Sequence, residues 1–291
     1  MSDKTLKQQK LKLQVLLACH NRIKLTRAIC QQLKSIAAST GFEIEIFAVD
    51  DGSTDGTFEF LNSLDICLGL HRGDGSYFWA RSMQIAEQLA DVSERQPGYK
   101  YLKLWLNDDV VLDEAETAKL VTLAVNESNR ITIGAMQSKT GAHSYGAFKR
   151  VGLMPLKLTP VVPSKSNLET IDTFNGNFVL YDDGVTKRVG GIDGEFSHSL
   201  ADIDFGFRAK AALIDIVQHP GYIGFCERNS AARFESRRAA WRFFISAKGG
   251  GNPASLKRIL KKRTAFWRFY ILITYSLWWV RRIIKREYYL A

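Results

Sequence analysis

Short apolar-rich runs at 13–19, 43–49, 66–70 and 101–106 alternate with stretches at 25–38, 57–64 and 77–90, whose apolar residues recur every third or fourth position. The runs predict strands buried in a sheet, and the intervening periodicity predicts amphipathic helices. Strand and helix in alternation imply a mostly parallel, Rossmann-like sheet with helices on its faces. Gly41 is placed to close the first helix and Asp55 to cap the second. Beyond 109 the pattern loosens. A helix is expected at 114–126, extended chain at 131–136 and 173–181, a helix at 202–212 and a strand at 214–217. Glycine and proline punctuate 138–166, which has no clear period. Helical spacing returns at 237–244 and, after a Gly-Gly-Gly-Asn-Pro break at 249–253, over 256–289. The expected organisation is an α/β domain over 1–228 followed by a basic, aromatic helical extension over 229–291.

Charge sharpens that division. The chain carries 40 Lys and Arg against 30 Asp and Glu, a net charge of +10. From Arg228 onward there are 16 basic and 2 acidic residues, which leaves 24 basic and 28 acidic residues before it. An acidic body without a recognition motif argues against nucleic acid as a partner. In the extension, the uncharged stretch 269–280 is too short to span a bilayer. Basic clusters and Trp267, Trp278 and Trp279 lie in or beside it, a composition that suits an interfacial helix on a membrane surface. Packing on the body, or on a second subunit of a homodimer, is the other use of such a helix. Cys19, Cys30, Cys67 and Cys226 show neither zinc spacing nor the density of a disulfide scaffold, and 1–12 is polar and Lys/Gln-rich. These features predict a cytoplasmic protein, peripheral on the inner face of the plasma membrane.

The candidate chemistry sits at strand ends. Ala48-Val49-Asp50-Asp51-Gly52-Ser53-Thr54-Asp55-Gly56 takes an apolar strand directly into paired carboxylates, and Leu104-Trp105-Leu106 runs into Asn107-Asp108-Asp109. Either motif alone reads as an Asx-rich turn. Ligands of α/β sheets gather beyond the carboxyl ends of the strands, where two such carboxylate pairs repel unless a cation lies between them. Together they predict a metal–diphosphate site for Mg²⁺ or Mn²⁺, a hard cation that takes few protein oxygens and fills the rest of its shell from phosphate and water. A third cluster comprises Asn175-Gly176-Asn177-Phe178, Val189-Gly190-Gly191-Ile192-Asp193 and Ala201-Asp202-Ile203-Asp204. Its Asp202, at the entry to a helix, is either an N-cap or a base.

In this order the motifs resemble those of family 2 glycosyltransferases of the GT-A fold, over roughly residues 13–229, and bacterial polysaccharide and rhamnosyltransferase-like members in particular. The resemblance implies an inverting, metal-dependent enzyme. It would move a sugar from a UDP- or dTDP-sugar to a hydroxyl of a glycan or lipid-linked acceptor in surface polysaccharide synthesis. Ala18-Cys19-His20-Asn21-Arg22 stands where that family has a Pro-Thr-Tyr-Asn-Arg-like segment, departing at its first three positions. The resemblance assigns Ala18, Cys19, Asn21, Arg22, Asp50, Asp51, Asn107 and Asp108 to the nucleotide. Asp50 would accept from the base and Asp51 would support its turn. Asn107-Asp108-Asp109 corresponds to the Asp-x-Asp signature, with Asp109 the metal ligand and Asn107 a departure. Trp79, in a Gly73-to-Trp79 segment like that of some polysaccharide members, joins Asn175, Gly176, Asn177 and Asp204 as candidates for the sugar and acceptor pocket. Asp202 becomes the catalytic base, with Ala201 replacing the usual preceding Glu. A late histidine common in relatives has no counterpart in 224–229, where Glu227 is the nearest substitute. A nucleotidyltransferase would need similar acidic strand ends, and a non-catalytic nucleotide-sugar-binding or membrane scaffold would explain the departures.

Overall fold

The computed structural model describes residues 10–228 and 234–285. The polar residues 1–9, the expected start of the extension at 229–233 and the expected helical end at 286–289 lie outside the described residues. The first half contains β1 (Lys10–Cys19), α1 (Ile23–Thr40), β2 (Glu43–Asp50), α2 (Thr57–Asn62), β3 (Cys67–Arg72), α3 (Phe78–Asp91) and β4 (Tyr99–Leu106). β1 lies between β2 and β4, parallel to both, and β3 extends the parallel run beyond β2. A strand flanked on both edges and covered on both faces has no solvent side, which is why Leu11 to Leu17 are all buried. The polar members of that run have partners: Lys12 donates to Glu45 at 2.7 Å and Gln14 donates to the same carboxylate at 3.2 Å. α1 ends as expected at Gly41, in the left-handed region at φ 71°, whose N–H returns to the carbonyl of Ala37. The cap of α2 differs from expectation. Gly56 holds the N-cap position. Asp55 accepts from Thr57 N at 3.1 Å and reaches across to Ile23 N at 2.9 Å, so it ties the starts of two helices together.

The second half contains β5 (Val111–Leu112), α4 (Glu114–Val125), β6 (Arg130–Gln137), β7 (His143–Tyr145), β8 (Ala147–Arg150), β9 (Leu158–Val161), β10 (Glu169–Thr170), β11 (Thr173–Phe174), β12 (Phe178–Asp182), α5 (Asp183–Val189), α6 (Ala201–Ala211) and β13 (Asp215–Phe225). The large sheet runs β10-β13-β6-β12-β4-β1-β2-β3, with β5 on β13 and β7 on β6. It is parallel over β3-β2-β1-β4. Beyond that, β12 inserts antiparallel between β4 and β6, making the rest mixed. The α/β architecture is therefore the expected one, and two elements differ from their expected extents. The strand expected at 173–181 is broken at Asn175-Gly176-Asn177: β11 joins β8 and β9 in a separate small sheet, and β12 joins the large one. The strand expected at 214–217 continues to Phe225.

A polar relay stiffens the core beside β4. Trp105 Nε1 donates to Tyr181 Oη at 2.6 Å, Tyr181 donates to Glu87 at 2.6 Å, and Ile192 N donates to the other Glu87 oxygen at 2.8 Å. Burial pushes the Glu87 carboxyl above its ordinary range.

The extension forms α7 (Arg237–Ile245), α8 (Pro253–Arg263) and α9 (Trp267–Lys285). Asn252 caps α8 through Ser255 N at 3.1 Å, and Pro253 opens the helix. Ile259 and Leu260 of α8 are buried in the same apolar cluster as Trp105 and Phe205. Arg258 and Lys262 reach Asp193 at 2.6 and 2.8 Å, and Lys262 also reaches Asp204 at 2.9 Å. α8 is thus part of the body's core. α9 packs against α7 through aromatic rings, with Phe244 stacked on Trp278 and Trp241 set edge-on to Tyr275. Among the described residues no helix is long and apolar enough to cross a membrane.

Candidate active site

The register of the parallel strands lines up their carboxyl ends: Leu17 is opposite Leu106, and Cys19 is opposite Asp50. A cavity of about 520 Å³ opens above this row, within the range of small-molecule sites. Its other walls are the break between β11 and β12, the start of α3 and the first turn of α6. Of the residues singled out from sequence, Ala18, Cys19, Arg22, Asp51, Trp79, Asn107, Asp108, Asp109, Asn175, Gly176, Asn177 and Asp202 line it together.

The loop after β1 is stitched to the loop after β2. Asn21, in the left-handed region at φ 51°, donates from its backbone to Ser53 Oγ at 2.8 Å and accepts from Thr54 N at 2.9 Å. Asn21 therefore holds the two loops together from outside the cavity. Asp51 is used up by backbone donors, with Oδ1 accepting from Gly75 N at 2.8 Å and Oδ2 from Phe78 N at 3.0 Å. This contact anchors Phe78, a bulky residue at φ 54°. Leu200, just before α6, sits at φ 78°. Two strained residues that both line one cavity are the kind of feature a binding site retains.

Asp108 and Asp109 differ sharply although adjacent. The Asp108 side chain is almost fully buried, takes Arg22 Nη1 at 3.0 Å and Thr26 Oγ1 at 3.3 Å, and is pushed above its ordinary range by burial. The Asp109 side chain is 30% exposed, with Arg22 Nη1 at 3.1 Å from one oxygen and the Cys226 thiol at 3.7 Å from the other. Burial, followed by the charge of Asp109, pushes Cys226 up to about 12, so it stays a neutral thiol and a weak donor to Asp109. Among the described residues no three His, Cys, Asp or Glu converge on one point. One partly exposed carboxylate on this wall, Asp109, beside an Asp108 tied to Arg22 and Thr26, fits a Mg²⁺ or Mn²⁺ ion shared with substrate phosphates and does not fit a cation held by protein alone.

Across the cavity, Asp202 sits in the first turn of α6. Its Oδ2 accepts from Gly176 N at 3.1 Å and its Oδ1 from Ile203 N at 2.8 Å, which fixes the plane of the carboxylate. Burial outweighs these contacts and raises its pKa above the ordinary carboxylate range, in the direction that makes a better proton acceptor. The turn that supplies Gly176 N is itself pinned: Trp79 Nε1 donates to Asn107 Oδ1 at 3.0 Å, and Asn107 N donates to the carbonyl of Asn177 at 3.3 Å. Trp79 both walls the cavity and packs edge-on against buried Trp105.

Besides Asn21, which was expected at the nucleotide and lies outside the cavity, three expectations are corrected. Asp50 is completely buried below the cavity floor with its carboxylate turned onto Ser53, accepting from both N and Oγ, so it does not face a ligand. Asp204 lies on the inner side of α6, held by Arg208 at 2.8 Å and Lys262 at 2.9 Å, and is structural. Glu227 accepts from Lys139 N at 2.7 Å, turned away to a surface loop, and is no substitute for the absent histidine. The cavity also contains residues not expected there, notably His20, Tyr145, His198 and Lys248. Lys248 comes from the extension, where His198 N donates to the carbonyl of Ala247 at 3.2 Å. Burial, with the charges of Lys248 and Arg22, pushes the His198 imidazole below its ordinary range. No sequence spacing connects these residues to Asp109. Lys248 is brought there by the packing of α8 on α6, through Lys262 and Asp204.

Comparison with known proteins agrees with the geometry. Residues 14–145 match the family described as glycosyl transferase family 2. No curated protein sequence matches the chain. Similar solved structures include S. aureus TarS 1-349 in complex with UDP-GlcNAc, at 16% identity, covering 87% of this chain and 66% of that one, with a TM-score of 0.53. GalNAc-T7 with UDP, GalNAc and Mn²⁺ is 12% identical, covering 91% and 50%, with a TM-score of 0.59. The mannosyltransferase PcManGT from Pyrobaculum calidifontis in complex with GDP-Man and Mn²⁺ is 13% identical, covering 94% and 75%, with a TM-score of 0.51. The chain thus spans less than two thirds of the TarS chain and half of the GalNAc-T7 chain, and at these identities the likeness is one of fold. Residues 14–145, which hold the strand-end carboxylates and the parallel part of the sheet, match glycosyl transferase family 2, and the chain shares the GT-A fold of these solved structures.

Proposed function

We propose that the chain transfers a sugar, with inversion, from a UDP- or dTDP-sugar to a hydroxyl of a glycan or lipid-linked acceptor in surface polysaccharide assembly. The observation that carries this reading is the single cavity with Asp109 on one wall and an oriented Asp202 on the other. Asp109 would hold a Mg²⁺ or Mn²⁺ ion, and that ion, when bound, would offset the charge that grows on the departing diphosphate. Arg22, Lys248 and His198 line the same cavity and present further donors to phosphate oxygens. Trp79 and the 175–177 turn shape the sugar end. As the acceptor hydroxyl attacks the anomeric carbon opposite the leaving group, its proton passes to a carboxylate oxygen of Asp202, and the configuration inverts. An acceptor carried on a lipid would set the enzyme on the inner face of the plasma membrane.

The test is Asp202→Asn, assayed with UDP-, dTDP- and GDP-sugars and Mn²⁺. Removing a general base is expected to lower kcat by roughly 10²–10⁴-fold while nucleotide affinity, read by thermal shift, is retained. Unchanged turnover would remove Asp202 from the mechanism. Release of pyrophosphate instead of a nucleoside diphosphate would make the enzyme a nucleotidyltransferase.

A further inference from the structure

α9 is amphipathic in an inverted sense. Its inner face is covered: Trp278 is only 7% exposed against Phe244 and Trp241, and Tyr275 Oη donates to the carbonyl of Gly251 at 3.0 Å. The outer face should then be polar, as on any surface helix. Instead Phe269, Leu272, Val280, Ile283 and Ile284 are 47–75% exposed, and Phe266 just before the helix is 71% exposed. At 3.6 residues per turn, positions 269, 272, 276, 280 and 283 fall on one stripe about 20 Å long or more, interrupted only by Ser276. No charge lies on it. An uncovered apolar stripe of that length marks a surface that is covered in use.

Charge identifies what covers it. From Arg237 to Lys285 the sequence holds 13 Lys and Arg and no Asp or Glu. Arg268 and Arg281, both exposed, stand on either flank of the stripe. A second copy docked on this face would bring two such cationic surfaces together, and like charges across an interface oppose association. A bilayer with anionic headgroups meets both requirements, taking the apolar stripe into the acyl boundary and the flanking cations at the phosphate level. Over its described residues the helix is not long and apolar enough to cross, and an apolar stripe along its length suits a helix lying in the plane of the surface. We infer that the outer face of α9 is a docking surface for an anionic lipid bilayer, with Phe269, Leu272, Val280 and Ile283 as the inserted side chains.

This inference is independent of the proposed glycosyl transfer, because it is read without donor or acceptor. Full-length protein is floated with vesicles of phosphatidylcholine alone or with one quarter phosphatidylglycerol, at low and high salt. Binding is expected at least tenfold tighter to the phosphatidylglycerol vesicles and weaker in high salt. The Leu272→Glu/Ile283→Glu variant alters only exposed side chains. It is expected to lose binding at least tenfold with an unchanged melting temperature and an unchanged nucleotide-induced shift. Arg268→Gln/Arg281→Gln is expected to reduce the preference for phosphatidylglycerol. Equal binding to both vesicle types, or binding untouched by the Glu substitutions, would overturn the inference. So would a dimer, detected by light scattering, that the Glu substitutions dissociate.

Discussion

Gly176 carries a prediction whose size follows from the coordinates. A Cβ added there would lie 2.5 and 2.6 Å from Cζ2 and Cη2 of Trp79, where carbon atoms in contact normally sit about 3.5–4.0 Å apart. Roughly 1 Å must be found. The indole has little room to recede, because Trp105 stands edge-on against it at 5.8 Å between ring centroids and is itself fully buried. It is also held by Asn107 at 3.0 Å. The 175–177 turn cannot move freely either, since Gly176 N holds Asp202 and the carbonyl of Asn177 accepts from Asn107 N. Overpacking of this kind costs about 1–3 kcal/mol, so Gly176→Ala is expected to lower Tm by roughly 2–12 °C. Because the strain falls on the turn that orients Asp202, kcat/KM should drop by about 10²-fold, the scale of a 1 Å misplacement at a reacting group. Combining Gly176→Ala with Trp79→Phe removes the two clashing ring atoms. The pair should then show a favourable coupling of about 1–2 kcal/mol in a double-mutant cycle of denaturant midpoints. Additive losses, or wild-type kinetics in Gly176→Ala, would refute the account of the turn as a rigid support for Asp202.

Other outcomes follow from the same structure. Since Asp202 must be ionised to accept a proton and burial raises its pKa, the rising acid limb of kcat should lie above the range of a free aspartate, which a pH profile with saturating donor measures. Asp193 is held down to about 2 from an ordinary 3.8, against desolvation, by hydrogen bonds from Arg258 and Lys262. Its contribution is therefore present above about pH 4 and lost as pH falls from about 4 through about 2. With both cations a third or more exposed, the screened value is about 1–2 kcal/mol. Asp193→Asn should lower the urea midpoint at pH 7 accordingly, and the difference from wild type should shrink toward pH 2. Lys248→Met should weaken nucleoside diphosphate binding by roughly tenfold in calorimetry, the scale of one lost charge-assisted contact, with Tm unchanged.

Where adjacent carboxylates point was beyond any reading of the chain, and the reason is geometric. Successive side chains at a strand end face opposite ways, so Asp50 and Asp51 are equivalent as text while one lies under the floor and the other braces the wall. Helix phase separates Asp202 from Asp204 in the same way: two residues along α6, one faces the cavity and the other turns inward to Arg208 and Lys262. The late basic contributor, Lys248, reaches the site only because α8 is drawn into the body's core by Ile259 and Leu260. Such contacts connect residues far apart in sequence, and composition carries no record of them.

Local rules nevertheless reached far. Hydrophobic runs and helical periods are properties of a few consecutive residues, and they sufficed for β1, β2, β4, α1, α3 and the parallel sheet that these elements build. The acidic strand ends and the helix entry at Asp202 were equally visible, because strand termini and Asx-rich turns are written locally. Tertiary structure alone decided that the strand over 173–181 breaks to place Gly176 N against Asp202 and that Arg22 spans to Asp108 and Asp109. It alone also left the outer face of α9 bare. Each depends on register, helix phase and long-range packing, whose energies are settled only when the whole chain is compact.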